Sequence, residues 1–518
     1  MKLIINTSLL ILYMFLFGCN KKESQLVPNI LICIADDAAH MGKEFAWVNT
    51  PAFDRVAAEG ILFSNAYTPN AKCAPSRACL LTGRNPWQLK EAANHFSNFP
   101  AEFKTYPEAL RDFGYFTGYT GKGWAPGNPG EVNGKERELC GMRWDKKQIV
   151  PPTKDISRND YSANFIEFYR NRPKDKPFCF WYGGREPHRR YEYGSGLKAG
   201  KKLSDINEVP VFFPDTDIVR TDILDYALEI EYFDSHVGKI LDFLERQGEL
   251  DNTLVIVTSD NGMPFPKAKS DEYENSTHLP LAIMWGKNIK DPGRVIDEYV
   301  SFIDIAPTFL KAAGIDWQKS GMQETPGSSL LPFLHGEINS SRDFVLIGKE
   351  RHDIGRPNDF GYPVRGMVKN GWMYLRNYWP DLWPAGNPEC GYTTVDGSPT
   401  KTEILKSRHN PETKFYWDWS FGKRPAEELY YLPDDPGCIK NLTDEDKLRA
   451  MKVSLKDKME EELIKQNDPR MFGEGYIFHT YYYTWDTYRN LYERMVVGKE
   501  NIVPMWINAS DIESDFPE

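Results

Sequence analysis

Residues 29–37 read NILICIADD, a continuous apolar run that ends in two adjacent carboxylates. An uninterrupted apolar run of this length is typical of a parallel strand that is buried on both faces. Two carboxylates at the end of such a strand are costly to bury unless a cation neutralises them. Because ligands gather at the carboxyl edge of an open α/β sheet, Asp36 and Asp37 are candidate cation ligands. In isolation, the pair would also fit a solvated acidic loop.

Three more predicted strands deliver polar side chains to the same edge of the sheet. The last of these strands follows an amphipathic helix predicted over residues 222–247. The delivered side chains are Lys122, after a strand that ends at 121; His188, after strand 177–182; and Asp260 and Asn261, after strand 254–258. Each of these residues alone is ordinary in a loop or at a surface. Together, the oxygen donors suit Ca²⁺ or Mg²⁺ rather than zinc or copper.

A second notable stretch, residues 73–84, reads CAPSRACLLTGR. Pro75 fits the first turn of a helix, where its missing N–H is no loss. A helix N-terminus favours anions, and Arg77 adds a planar cationic fork suited to a tetrahedral oxyanion. Cys73 is therefore a candidate reactive side chain at the start of a helix. The alternative is a buried cysteine ahead of an ordinary helix.

Composition excludes some classes of partner and limits others. The chain has 518 residues, of which 41% are hydrophobic and 26% charged, as in a globular protein. Its net charge of −11 disfavours a nucleic-acid partner. Eight cysteines include no CxxC pair that would indicate a zinc site, and the sequence does not determine any disulfide.

The N-terminus has the pattern of an export signal. A short apolar run over residues 9–17 precedes Gly18 and Cys19, and it is too short to span a membrane. The ending resembles a bacterial lipobox, with residues 1–19 as signal peptide, acylation at Cys19 and residues 20–28 as a polar tether. We therefore expect an exported protein that is lipid-anchored in the bacterial cell envelope, in the periplasm or on the outer membrane. Phe17 is unusual inside a lipobox, so plain secretion is the alternative.

The pattern Cys-x-Pro-Ser-Arg followed by Leu-Thr-Gly, at residues 73–83, resembles the signature of the formylglycine-dependent sulfatases of the alkaline-phosphatase-like superfamily. Residues 186–189 (EPHR) and 259–266 (SDNGMPFP) are most similar to the heparan N-sulfatase (sulfamidase) branch. The resemblance implies an α/β fold, with a large mixed sheet sandwiched by helices over residues 29–338. Residues 339–518 are expected to form a smaller C-terminal α+β subdomain, irregular over 377–419, with a helix over about 444–466.

The same resemblance implies the role of each site residue. Cys73 would be oxidised to formylglycine by a maturation enzyme, and the hydrated aldehyde would attack sulfur. Arg77 would tether the formylglycine, Lys122 and Lys269 would bind sulfate oxygens, and His188 would protonate the leaving group. The implied calcium ligands are Asp36, Asp37, residue 73, Asp260 and Asn261.

One departure from the family pattern concerns the group that helps to release sulfate. The family commonly has Lys-x-His where this chain has Lys122, Gly123 and Trp124. An indole cannot transfer a proton in this way. His95 is a candidate substitute, and a structural histidine is the alternative reading.

The expected function is hydrolysis of sulfate esters, or of N-sulfate, in a sulfated polysaccharide or its oligosaccharides, such as algal ulvan or a glycosaminoglycan. Arg365 and the segments 349–357 and 379–383 are candidate sugar contacts, or an ordinary surface between the two domains. The competing hypotheses are a phosphatase or phosphonate hydrolase of the same superfamily, and a non-catalytic glycan-binding lipoprotein.

Overall fold

The computed structural model describes residues 27–337 and 342–513. Within them, an eight-stranded sheet occupies the centre of the N-terminal part. Its strands, in chain order, are β1 (Asn29–Ala35), β2 (Ile61–Phe63), β3 (Phe116–Gly121), β4 (Met142–Arg143), β5 (Phe178–Gly183), β6 (Thr253–Ser259), β7 (Leu281–Met284) and β8 (Arg294–Ile296). Their order across the sheet is β8-β2-β7-β6-β1-β5-β3-β4.

The sheet is mixed, and its parallel centre positions the site. Strand β1 pairs in parallel with β5 on one side and with β6 on the other, and β3 pairs in parallel with β5. Strand β7 is antiparallel to both of its neighbours, β6 and β2. Because β1, β3, β5 and β6 run in one direction, the residues that follow them lie at one edge of the sheet.

Helices cover both faces of this sheet, as expected. The helices are α1 (Pro51–Glu59), α2 (Cys73–Thr82), α3 (Tyr106–Asp112), α4 (Tyr161–Asn171), α5 (Asp217–Arg246) and α6 (Ile305–Ala312). Alternate residues of β1 point into two separate cores: Leu31 and Cys33 belong to the core that includes α1, α4 and α5, whereas Ile30 and Ile32 belong to the core that includes α2, α3 and α6. A strand buried on both faces is continuously apolar for this reason.

The C-terminal part contains a four-stranded antiparallel sheet, which confirms the predicted α+β subdomain. Its strands are β9 (Phe344–Lys349), β10 (Val364–Lys369), β11 (Trp372–Asn377) and β12 (Glu427–Tyr431), paired in that order. Helix α9 (Arg449–Lys465) packs Leu455, Met459 and Leu463 against one face of this sheet. The helix begins a few residues later than the predicted position of about 444.

The expectation of irregular structure over residues 377–419 was wrong in part. This segment contains helix α7 (Pro399–Ser407) and most of α8 (Lys414–Phe421). The Ser398 side chain accepts a hydrogen bond from the backbone N–H of Lys401, and Pro399 takes the first helical position. A Ser-Pro pair is a recognisable helix start, but the surrounding Gly, Pro and aromatic residues obscured it.

Several N-terminal and boundary predictions lie outside the described residues. The signal peptide over 1–19, its Cys19 and most of the tether over 20–28 belong to this group. The predicted domain boundary between residues 338 and 339 also falls outside, so it stays a prediction. Within the described ranges, no helix combines the length and apolarity needed to cross a membrane.

Candidate active site

The ends of β1 and β6 place two pairs of oxygen-bearing side chains side by side. The backbone N–H of Asp37 donates to Asp260 Oδ1 at 3.0 Å, and the backbone N–H of Asp260 donates to the carbonyl of Ala35 at 3.2 Å. Asp37 adopts a φ of 74°, a left-handed conformation that aspartate tolerates better than most residues. The strand register therefore brings together the two pairs that the sequence places more than 220 residues apart.

These residues form a buried cluster that fits a hard cation. Carboxylate oxygens of Asp36, Asp37 and Asp260 all lie within 4.8 Å of one another. The amide nitrogen of Asn261 donates to Asp37 Oδ1 at 2.7 Å, while Asn261 Oδ1 is buried and has no hydrogen-bond partner in the part of the chain that the structure describes. Three carboxylates and an unpaired amide oxygen are a suitable donor set for Ca²⁺ or Mg²⁺.

The pKa values of Asp36 and Asp260 shift in opposite directions. Burial alone would raise the pKa of Asp36, but Lys122 and Arg77 outweigh it and hold this pKa well below its usual range. Burial raises the pKa of Asp260 to about 7, with Arg77 opposing this shift. Because a bound cation favours ionised carboxylates, it would offset the cost of burying Asp260 in charged form.

Two lysines are held beside the cluster by ion pairs. Lys122 Nζ lies 2.6 Å from Asp36 Oδ2. Lys269 Nζ lies 2.7 Å from Asp37 Oδ2 and 2.6 Å from Asp396 Oδ2, and these acids hold the pKa of Lys269 well above its usual value against the effect of burial. Both ammonium groups therefore stay charged.

His188 is the third polar group at this edge, and its ring orientation is defined. Its Nδ1 donates to the carbonyl of Arg189 at 2.7 Å, and its Nε2 lies 3.1 Å from Lys269 Nζ. The Sγ of Cys73, an oxygen of Asp36 and a ring nitrogen of His188 lie within 4.8 Å of one another. The structure thus brings the predicted nucleophile, a predicted metal ligand and the predicted acid into one place.

Cys73 is the first residue of helix α2 and is 1% exposed. Burial raises the pKa of its thiol, with Asp36, Asp260 and Asp37 adding to the shift and Lys122 opposing it. Because the thiolate is the nucleophilic form, the unmodified cysteine is a poor nucleophile here.

Arg77 connects helix α2 to the carboxylate cluster. Its Nε donates to Asp260 Oδ2 at 2.7 Å, and its Nη1 donates to the carbonyls of Lys122 and Gly123 at 2.7 and 3.0 Å. The guanidinium is fully buried and shared among these acceptors. A fourth hydrogen bond joins its Nη2 to Asp36 Oδ1 at 3.5 Å. The expected roles of Arg77 toward an oxyanion and toward residue 73 stay predictions.

These side chains open into a cavity of about 880 Å³. Asp36, Cys73, Lys122, His188 and Lys269 all line it. Buried charged residues of the same cavity that the sequence did not indicate include Lys72 and Asp396, whereas Asp353 lies in segment 349–357, where the sequence suggested sugar contacts. Asp396 comes from an irregular segment of the C-terminal part, and no local pattern indicated it.

Trp124 and His95 both line this cavity, and they differ in their hydrogen-bond partners. Trp124 is mostly buried, and its indole N–H donates to the carbonyl of Ala74 at 2.9 Å, which supports the first turn of α2. His95 Nδ1 lies 2.9 Å from Asp353 Oδ1, and Asp353 also pairs with Lys72 at 2.7 Å. Burial lowers the pKa of His95 to about 4, and its buried Nε2 has no hydrogen-bond partner among the described residues.

Of the two readings of Arg365, a sugar contact or an ordinary surface between the two domains, its burial contradicts the sugar contact. Arg365 is 1% exposed, and its guanidinium pairs with Asp468 and Glu350 at 2.7 Å each. Of segment 349–357, Asp353 lines the cavity. In segment 379–383, the ring of Trp379 stacks on His479 with centroids 4.2 Å apart. Arg365 thus belongs to a buried ion-pair network of the C-terminal part.

The cysteines at the seven described positions are all unpaired and buried.

Comparison with known proteins gives consistent matches along the chain. A family model described as Sulfatase matches residues 28–315. N-sulphoglucosamine sulphohydrolase of Homo sapiens is 26% identical over 491 residues, covering 85% of this chain and 91% of that protein. An ulvan-active sulfatase of Formosa agariphila is 27% identical over 442 residues, covering 83% and 78%. The crystal structure of the putative sulfatase yidJ from Bacteroides fragilis superposes with a TM-score of 0.64 at 19% identity, covering 88% and 99%, which shows a shared fold.

Proposed function

Since this chain belongs to the sulfatase family of sulfuric ester hydrolases, we propose that it removes sulfate from a sulfated polysaccharide or its oligosaccharides. The observation that carries the proposal is that Cys73, two charged lysines and Asp36, which belongs to the buried carboxylate cluster, line one cavity. Ulvan and glycosaminoglycans are the proposed substrate class, with the sulfate on oxygen or on nitrogen. Support comes from the names of two relatives, an ulvan-active sulfatase and an N-sulphoglucosamine sulphohydrolase.

We propose that Asp36, Asp37, Asp260 and Asn261 hold Ca²⁺ together with residue 73. The unpaired Asn261 Oδ1 and the clustered carboxylates support this assignment. A bound Ca²⁺ would supply positive charge that polarises the sulfate group. Cys73 would be oxidised to formylglycine, and the hydrated aldehyde of that residue would supply the oxygen nucleophile that its buried thiol does not.

The remaining roles follow from side chains already in position. Lys122 and Lys269 would face the sulfate oxygens and offset their charge, which favours the transition state in a cavity partly shielded from water. His188 would move a proton at Nε2 to the departing sugar oxygen or nitrogen, because Nδ1 is held by the carbonyl of Arg189. Arg77 would keep residue 73 aligned with the carboxylate cluster.

His95 is our proposed substitute for the histidine that the family pattern would place at Trp124. With Asp353 accepting from Nδ1, the proton-accepting atom of a neutral ring is Nε2, which has no hydrogen-bond partner within the described ranges. It would accept the proton that is released at residue 73 when sulfate departs. An aspartate-held histidine is a common arrangement for a general base.

We also propose the cellular context that the N-terminal sequence suggests. A formylglycine-generating enzyme would modify Cys73, and acylation at Cys19 would anchor the protein in the bacterial cell envelope, in the periplasm or at the outer-membrane surface. Globomycin treatment of expressing cells tests the anchor, since it should cause the unprocessed precursor to accumulate. Processing that is indifferent to this inhibitor would instead favour plain secretion.

The decisive experiment measures sulfate release from defined ulvan and glycosaminoglycan oligosaccharides. It compares the parent protein, the Cys73→Ala variant and a Cys79→Ala control, whose substituted residue is buried in the same helix. We expect release by the parent and the control and none by Cys73→Ala, together with the aldehyde mass in the peptide that contains residue 73. An unmodified thiol in active protein, a clear preference for aryl phosphate over aryl sulfate, or binding without turnover would each contradict the proposal.

A further inference from the structure

Two arginines at the opening of the cavity form no ion pair with any residue in the described ranges. Arg158 and Arg185 are exposed and line the cavity. Among the residues that the structure describes, no carboxylate forms an ion pair with either guanidinium, although the exposed acids Glu136 and Asp155 line the same cavity. The other lysines and arginines of the cavity are paired: Lys72 with Asp353, Lys122 with Asp36, Arg143 with Asp145, Arg189 with Asp222, and Lys269 with Asp37 and Asp396.

Hydrogen bonds through two buried side chains connect the backbone segments that carry these arginines. The buried carboxylate of Glu186 accepts from the backbone N–H of Ser157 at 2.8 Å and from the hydroxyl of Tyr161 at 2.8 Å. The same Tyr161 hydroxyl accepts from the backbone N–H of Arg185 at 3.2 Å. Arg185 also lies three residues before His188. Hydrogen bonds through Glu186 and Tyr161 thus connect the backbone at Arg185 to the backbone next to Arg158.

Another wall of the cavity is aromatic and comes from the last forty described residues. Trp485 and Trp506 are half-buried, line the cavity and lie with ring centroids 5.3 Å apart. The Trp506 indole N–H donates to the carbonyl of Thr393 at 2.7 Å, and the backbone N–H of Thr484 donates to the carbonyl of Phe96 at 2.8 Å. The first bond holds Trp506 within the C-terminal part, and the second ties the segment that carries Trp485 to the N-terminal part.

We propose that Arg158 and Arg185 bind a second anionic group of the sugar chain, a carboxylate or a further sulfate, while Trp485 packs against a sugar ring. The proposal rests on the proposed function and adds a residue-level basis for substrate choice. A guanidinium fork matches either anion with two parallel hydrogen bonds. An aromatic ring offers the apolar face of a sugar a flat surface, and a few polar groups then set its orientation.

Arg365 shows why the sequence alone does not identify the cations that are available to a sugar. Its guanidinium is paired with buried acids, whereas Arg158 and Arg185 have no ion-pair partner among the described residues, although Arg185 directly precedes the motif at 186–189. A cation is available to a ligand when no protein acid neutralises it, and only the packing reveals this.

The test measures binding separately from turnover. Calorimetry compares Cys73→Ala protein with and without the double substitution Arg158→Gln/Arg185→Gln, and with the control Arg170→Gln, an exposed arginine on α4 outside the cavity. The ligands are heparan sulfate and ulvan oligosaccharides, native and carboxyl-reduced. We expect the double substitution to weaken binding of a native oligosaccharide about tenfold or more, as for the loss of charge-assisted hydrogen bonds, and the control to change it less than about twofold.

The reduced oligosaccharides identify the second anion. If carboxyl reduction abolishes the effect of the arginines, a uronate is the anion, and if the effect persists, a second sulfate is. Trp485→Ala should also weaken binding, and Trp485→Phe should largely restore it. Equal affinities with and without the two arginines, or no binding of any oligosaccharide, would overturn the proposal. Failure of the Cys73-containing parent to release sulfate from an oligosaccharide that it binds would instead overturn the proposed function.

Discussion

The side-chain amide of Asn261 donates to Asp37 Oδ1 at 2.7 Å while its own carbonyl oxygen stays buried without a partner in the described residues. A buried amide oxygen without a hydrogen bond costs about 1–3 kcal/mol. The cost is offset if the oxygen binds a cation, and the neighbouring carboxylates of Asp36 and Asp260 favour the same ligand. Asn261 thus links the geometry of the strand ends to the proposed calcium site.

Calcium should stabilise the folded protein. At a concentration one hundred times its Kd, a ligand that binds only the folded state adds about 2.7 kcal/mol to the free energy of unfolding. We expect the melting temperature of chelator-treated protein to rise when Ca²⁺ is added, and Asn261→Ala to lose most of this rise. Asn501→Ala, at an exposed position, is the control. An identical melting temperature with and without Ca²⁺ in the parent would contradict the assignment.

Replacement of His188 should affect substrates according to their leaving groups. His188→Gln removes the proposed proton donor, so we expect kcat on sugar sulfates to fall about 10²-fold or more. Aryl sulfates leave readily without protonation, so their turnover should fall much less. Steady-state kinetics on both substrate types measures the difference, with His409→Gln at an exposed position as control. Equal losses on both types would indicate that His188 only supports the structure.

Replacement of His95 should slow turnover after the sugar has left. In His95→Gln, we expect steady-state kcat to fall about 10²-fold, while the sugar–sulfate bond is still cleaved at the parent rate in a single turnover. With a pKa of about 4, the ring is protonated below that pH and loses its acceptor at Nε2, so its contribution is lost on acidification and constant above about pH 5. Rapid-quench kinetics across pH separates the two steps.

Asp353 allows an independent check on the same pair. Asp353→Asn keeps the side-chain size but weakens control of the His95 tautomer, because an amide can donate as well as accept. We expect the same step to slow, with a smaller loss than in His95→Gln. If both variants lose stability and single-turnover cleavage together, His95 is a structural residue.

Replacement of Arg365 should change stability rather than substrate binding. Arg365→Met leaves the buried carboxylate of Asp468 without this charge partner, and breaking a buried pair costs about 3–5 kcal/mol. We expect the free energy of unfolding, measured with urea, to fall by about that amount. KM on sulfated oligosaccharides should stay within about twofold of the parent, because the Arg365 side chain does not line the cavity. A large rise in KM with unchanged stability would restore the sugar-contact hypothesis.

Much of the fold and part of the site could be predicted because the relevant signals are local. The run at 30–35 is apolar throughout because both faces of β1 are buried, and the oxygen donors follow directly at Asp36 and Asp37. Helix α2 starts at Cys73, where Pro75 and the following residues indicated it. The parallel pairing of β1 with β5 and β6 then converts separate strand ends into a single edge.

The tertiary structure decided what each charged side chain is free to do. Asp396 reaches Lys269 and Asp353 reaches Lys72 across more than a hundred residues, so no spacing could reveal these pairs. Arg365 forms ion pairs with buried acids, whereas Arg158 and Arg185 line the cavity without an ion-pair partner in the part of the chain that the structure describes. Residue type and periodicity determine strands, helices and the chemistry they carry to their ends. Whether a charge is neutralised or available to a ligand depends on its neighbours in space, which only the packed chain defines.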